Sequence, residues 1–365
     1  MSPSPESPRL FIPGPTDVDA EVLREMSRAP IGHRGPQIEA LIAEVEEGLQ
    51  ALLGTREPVL LFTSAATAVM EAAILNTVGE NGVLHLRCGA FGDKWEKISR
   101  SLGRSTSSCE VEWGRGFTPE LVADELRRGD YDAVCLTHNE TSTGVLNPLR
   151  EIASVVREAG DTLLLVDAVS AMSAVEVDFD DWGVDVLLAG VQKAFALPPG
   201  LAVAAVSSRV YERAEKLPNR GTYLDFLSYR RLLLKNQTPS TPSTAHLYAL
   251  RRQLQRIHEE GRSARARRHQ QMGIQTREWT RGRFRMFADE AFASPTVSCI
   301  QVPEGFDVAD LKQRALQQGF ALGSGYGVLK PTTFRIGHMG EHDSDSLEAL
   351  LSTLDQILDG PKDGG

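Results

Sequence analysis

No stretch of this 365-residue chain approaches the ~20 consecutive apolar residues that a membrane-crossing helix needs. Its first residues lack the basic-then-apolar order of a secretory leader, so a cytoplasmic address is expected. Cysteine is scarce. Cys88, Cys109, Cys135 and Cys299 are widely scattered, with no CxxC pair and no metal-ligand spacing, and reduced thiols with no bound metal are the expectation. There is no GxGxxG turn, so the usual dinucleotide pattern is missing. Internal repeats are absent, and low complexity is confined to the Ser- and Pro-rich Met1 to Pro8, expected to be a loose tail. Nor is there an excess of positive charge: a formal net charge of −10 argues against a general nucleic-acid binder. The one basic run, Arg262 to Arg268, lacks interleaved aromatics and stands beside Glu259 and Glu260, which reads as a solvated helix joining two domains.

What is present is ordinary globular material, 41% hydrophobic and 24% charged, at a length that suits one large domain and a smaller one. Ile38, Leu41, Ile42, Val45, Leu49, Leu52 and Leu53 recur at helical spacing and predict a helix with one buried face. Short apolar runs at Pro58 to Thr63, Val83 to Arg87, Tyr131 to His138 and Leu163 to Val166 alternate with helical patterns such as Leu149 to Ala159. That rhythm predicts an α/β fold with a mostly parallel sheet covered by helices on both faces. Ligands of such sheets sit beyond the carboxyl ends of the strands. After a charged helical stretch from His246 to about Gln271, the remainder from Arg283 reads strand, helix, strand, helix. Val308 to Gln318 and Ser344 to Leu358 are its clear helices.

Two strand ends carry chemistry. Leu163-Leu-Leu-Val-Asp167 and Asp185-Val-Leu-Leu-Ala-Gly-Val-Gln-Lys193 are buried-strand patterns tipped by a carboxylate and an amine. Charges in such places cost desolvation free energy unless something binds them. Pyridoxal phosphate needs such a pair, a Lys for its aldehyde and an acid against its ring nitrogen. Ser64-Ala-Ala-Thr67 lies between a strand and a helix, where small residues let backbone N–H groups approach an anion.

The chain resembles the class V, fold-type I aminotransferases of the alanine–glyoxylate and serine–pyruvate group. Asp167-Ala-Val-Ser and Gly190-Val-Gln-Lys193-Ala are similar to that family's cofactor-aspartate and Schiff-base-lysine motifs, and the likeness runs from Pro13-Gly-Pro-Thr to Arg335-Ile-Gly. The resemblance implies a large pyridoxal-phosphate-binding domain at 16–258, a small C-terminal domain at 259–365 and an N-terminal arm at 1–15. It implies that Ala65, Ala66 and Thr67 hold the cofactor phosphate, although many members carry glycine where this chain has alanine. Phe91, with Trp95 as the fallback, covers the cofactor ring; Thr141 of His138-Asn-Glu-Thr-Ser-Thr-Gly144 reaches the ring oxygen; Gln192 and Lys193 complete the cofactor contacts. Thr238 and Thr241, in a Pro-rich loop, reach the phosphate of the neighbouring subunit in a homodimer. Gly14 and Arg335 bind the substrate, the arginine clamping the α-carboxylate as lysine could not.

The activity so implied is ping-pong transfer of an amino group from alanine or serine to glyoxylate or pyruvate. Phosphoserine transamination is the alternative, since His33-Arg34 is similar to a pair that relatives use for a phosphate, with Lys330 as a further cation. Aminoethylphosphonate and aspartate remain open as donors. Cysteine desulfuration would need a mobile cysteine near the arginine, whereas Cys299 sits in a strand pattern. A non-catalytic binding module would be expected to have lost Lys193 or Asp167.

Overall fold

The computed structural model describes residues 4 and 6–360. In chain order its strands are β1 (Arg9–Phe11), β2 (Val59–Phe62), β3 (Val83–Arg87), β4 (Thr106–Glu110), β5 (Ala133–Thr137), β6 (Asn139–Glu140), β7 (Val145–Leu146), β8 (Leu163–Asp167), β9 (Val186–Gly190), β10 (Ala202–Val206), β11 (Arg285–Met286), β12 (Val297–Gln301), β13 (Phe320–Ser324) and β14 (Thr333–Gly337). A seven-stranded sheet has the order β2-β10-β9-β8-β5-β3-β4. It is parallel except at β10, which runs antiparallel to both β2 and β9. Strands β5, β8, β9 and β10 are buried along their whole length, which is why they read as unbroken apolar runs.

Several helices start and stop on recognisable local chemistry. Asp19 accepts a hydrogen bond from the Glu21 N–H and opens the helix Ala20–Met26. Pro36 occupies the first turn of the helix Pro36–Leu53, which ends at the left-handed Gly54. This helix buries the predicted stripe from Ile38 to Leu53 against the helix Thr244–Glu260. Asp307 and Asp343 cap the last two long helices, Val308–Gln317 and Ser344–Asp359.

A second sheet of five strands, β1-β13-β14-β12-β11, lies over its own apolar cluster, in which Phe11 and Met272 join residues from Ile300 to Ile357. Here the sequence reading needs correcting. Arg9–Phe11, expected within an N-terminal arm, form the edge strand of this sheet, pairing parallel with Phe320 to Leu322. A three-residue strand has too few residues to show a period. Of Met1 to Pro8, residues 1–3 and 5 lie outside the described residues, as do 361–365; Ser4 and Ser7 bridge one another.

The basic run needs a second correction. The predicted single charged helix is two, Thr244–Glu260 and Arg262–Thr280, broken at Gly261 with φ +84°. Arg265 is not solvated but 1% exposed. It donates to the carbonyls of Ser173 (3.0 Å), Ala194 (2.9 Å) and Gly340 (3.2 Å), and pairs with Glu260 (2.8 Å) and Glu341 (3.2 Å). Its guanidinium thus ties the loop after β9 to the loop after β14. Truncation would leave three carbonyls and two carboxylates facing a void. Arg265→Ala is expected to lower stability by about 3–5 kcal/mol. An unshifted midpoint in urea denaturation would contradict the assignment.

Candidate active site

The loop after β9 is built to present one amine. Ala196, held at φ +54°, lets its N–H return to the Lys193 carbonyl (2.8 Å), while Leu197 N–H reaches Val191 O (3.1 Å). The Pro13-Gly-Pro-Thr16 loop packs on this turn. Thr16 donates from its hydroxyl to Lys193 O (2.9 Å) and from its N–H to Gln192 O (3.2 Å). Lys193 Nζ donates to the Pro13 carbonyl. Gly14 has φ +106°, and a Cβ there would lie 2.5 Å from Lys193 Cδ, so only glycine lets the loop lie along the lysine stem. Burial foremost, then the charge of Arg335, brings the Lys193 amine from 10.5 down to about 8, with Asp167 and Glu140 opposing the shift.

Asp167 ends β8, one strand away from β9, and is 3% exposed. Its Oδ1 accepts from the Val169 N–H (2.9 Å). Burial raises its carboxyl to about 7, so a cation set against it would pull the proton off. Thr141, in the turn joining β6 to β7, shares a 2.5 Å hydrogen bond with the Ser170 hydroxyl, three residues past Asp167. Asn139 donates to Ser170 O (2.8 Å) and Thr296 Oγ1 (2.6 Å), fixing the same turn.

Glu140 was not singled out in the sequence. It is fully buried, and its carboxylate accepts from Phe91 N–H (3.0 Å), Gly92 N–H (3.2 Å), Ser142 N–H (3.0 Å) and the Ser142 hydroxyl (2.6 Å). The helix Ala90–Ser101 begins at Gly89, which has no side chain to cap it, and Glu140 caps it from across the site. A Cβ on Gly89 would lie 2.5 Å from Glu140 Cγ. The signal was weak: Glu140 stands three residues past the buried strand β5, in a polar run, and a buried acid there must find N–H partners. Phe91 is thereby anchored by its backbone, and its ring lies 5.3 Å from that of Tyr326. Trp95, the fallback for the cofactor ring, is corrected: it is 1% exposed and its indole donates to Met70 O (3.2 Å), a core position.

The helix Ala66–Thr77 starts without a side-chain cap at Ala65. Its first N–H groups are therefore left for an anion. Ser64 Oγ is buried there with no partner among the described residues, and Lys94 Nζ donates to Thr67 Oγ1 (2.7 Å). Arg335, on β14, donates from Nε to Ser324 O (2.8 Å) and from Nη1 to Thr141 O (3.0 Å), which leaves the Nη2 edge for a carboxylate. Within one chain Thr238 and Thr241 make no hydrogen bond to Ala65–Thr67. Thr238 is buried and donates to Ser240 O (2.8 Å), and Thr241 is exposed. His33 and Arg34 are exposed as well, Arg34 donating to Thr238 O (3.1 Å). All four cysteines are free and buried, Cys299 with its thiol raised to about 11 by burial. No helix among the described residues is long and apolar enough to cross a membrane.

The donor set suits a ligand carrying an anion at one end, a basic ring atom for Asp167 and a carbonyl carbon within reach of Lys193. The family model described as aminotransferase class-V matches residues 11–341. The soluble hydrogenase small subunit of Synechococcus sp. is 34% identical over 355 residues, covering 96% of this chain and 92% of that protein. Serine–glyoxylate aminotransferase of Arabidopsis thaliana is 32% identical over 361 residues, covering 96% and 90%. The crystal structure of alanine–glyoxylate aminotransferase from Nostoc sp. superposes with a TM-score of 0.90 at 30% identity, covering 96% and 95%.

The lowered lysine gives a direct test on the cofactor-free chain. Only a neutral amine attacks acetic anhydride, so competitive labelling against pH should show Lys193 half-reactive near pH 8, below the ordinary 10.5. A midpoint with the surface lysines would contradict the desolvated setting.

Proposed function

The chain belongs to the class-V aminotransferase family and is a transaminase, and from that premise we propose that it moves the amino group of serine or alanine to glyoxylate or pyruvate, with pyridoxal phosphate as cofactor. The observation that carries this reading is the pairing of a desolvated amine, Lys193, with a buried carboxyl, Asp167, at the ends of neighbouring strands. Ala65, Ala66 and Thr67 would hold the phosphate, Phe91 would cover the ring and Thr141 would reach its oxygen. Gln192 lies in the same turn as Lys193. When bound, the group supplies a carbonyl carbon for amines and a ring that accepts charge from the substrate Cα.

The chain's own residues do the rest. An amine lowered to about 8 is neutral in a usable fraction near pH 7, so Lys193 Nζ can act as nucleophile and, once freed, take the substrate Cα proton. Asp167, ionised by a cation at its oxygens, would hold the ring nitrogen of the bound group in its protonated form. Arg335 offers its Nη2 edge to the donor carboxylate and turns the Cα towards Lys193. Gly14 keeps the lysine stem in place. The turn before Arg335 carries Tyr326 and Val328, the latter 77% exposed, with Lys330 as its single cation, fewer than a phosphoserine enzyme would want.

We assign Thr238 and Thr241 to the phosphate of a second copy in a homodimer. Supporting this, Leu234 (67%) and Tyr223 (38%) are large apolar side chains exposed near that loop.

The test is the half-reaction. Holoenzyme mixed with serine or alanine alone should change its visible absorbance and release the oxo acid, and added glyoxylate or pyruvate should reverse the change. No change with either donor would contradict the proposal. Arg335→Lys keeps the charge but loses the two-pronged contact, and should lower kcat/KM by about 10- to 100-fold, mostly through KM. Unaltered KM would remove Arg335 from the carboxylate.

A further inference from the structure

The eight-residue connection between β13 and β14 is held by its backbone and by Thr333. Gly325 N–H donates to Thr333 O (3.0 Å), Thr333 Oγ1 donates to Leu329 O (2.8 Å), and Leu329 N–H closes on Tyr326 O (3.0 Å). A Cβ on Gly325 would come within 2.3 Å of Leu329 O, so the turn hugs itself. Leu329 supplies its buried anchor. None of these contacts uses the Tyr326 ring.

That ring does something else. It is 41% exposed, yet it contacts two residues of the site. Its centroid lies 5.6 Å from Arg335 Cζ, over which the ring face is turned, and 5.3 Å from the Phe91 centroid at an interplanar angle of 39°. Arg335, Tyr326 and Phe91 therefore stand in a row, with Tyr326 in the middle. With the turn fixed without it, the ring borders the space beside Arg335 and Phe91.

We infer that Tyr326 is a specificity-determining residue, whose ring bounds the space open to the donor side chain and restricts productive donors to small ones; this rests on the transaminase reading above. A carboxylate bound two-pronged to Arg335 must lie near the guanidinium plane, because N–H groups donate in that plane. Arg335 Cζ stands over the Tyr326 ring face at 5.6 Å, and two corners of the guanidinium are taken by Ser324 O and Thr141 O. The donor's amine is committed to the Lys193 side. Its side chain must then share the remaining space with the Tyr326 ring, beside Phe91. A hydrogen atom, methyl or hydroxymethyl passes; a branched or aromatic group meets the ring. Discrimination by such a wall reaches about 10- to 200-fold for small changes in side-chain size.

Half-reaction kinetics of the holoenzyme with alanine, serine, leucine and phenylalanine test this. Tyr326→Ala should raise the ratio of kcat/KM for leucine or phenylalanine to that for alanine by about 10-fold or more, and Tyr326→Phe should leave it within about 2-fold of the native chain. Both variants should melt with the native protein, since the turn is fixed without the ring; should Tyr326→Ala not fold, Tyr326→Leu carries the same prediction at smaller amplitude. A ratio unchanged in the truncated variant, with the native chain active, overturns the inference and leaves the transaminase reading standing. A native chain that reacts with none of the four donors overturns both.

Discussion

The desolvation of one amine and one carboxylate governs the rest of the molecule. Ionised side chains at the ends of fully buried strands are unfavourable by several kcal/mol unless a partner is placed against them. In this chain the unfavourable state shows as an amine brought down and a carboxyl brought up until both lie near neutrality. Such a pair gains by binding a molecule with a group for each. A functional site and an energetic liability are here the same feature, which is why it sits at strand ends and not within a strand.

The surrounding structure keeps that pair in register. Thr16 and the Pro13 carbonyl fix the lysine from one side, and Arg265 fixes the following residue, Ala194, from the other. Glu140 serves both halves of the site. It caps the helix that carries Phe91, and its charge acts on Lys193 and Asp167. Arg335 is bonded to Ser324 on its own sheet and to Thr141 in the turn of the β6–β7 hairpin that follows β5. A movement of the smaller sheet against the larger would therefore move the Arg335 guanidinium relative to the amine.

Much of this was legible in the sequence, for physical reasons. Asp167 and Lys193 stand out because an apolar run ending in a charge has few structural explanations. The stripe from Ile38 to Leu53 is a local pattern, and local patterns are what a sequence displays. Arg265 was misread because its neighbours are charged and local charge density suggests solvent. Its burial is decided by carbonyls far away in the chain, at Ser173, Ala194 and Gly340. Trp95 and Phe91 lie four residues apart on one helix. Which of them faces the site depends on where Glu140 pins the first turn, and no spacing rule contains that. The strand Arg9–Phe11 was hidden for a related reason, since its partner lies at the other end of the chain.

The measurement that bears most directly on the account is borohydride reduction of the protein with pyridoxal phosphate, followed by peptide mapping. The account predicts a single reduced adduct on the peptide containing Lys193, lost in Lys193→Ala. An adduct on another lysine, or none, would contradict it.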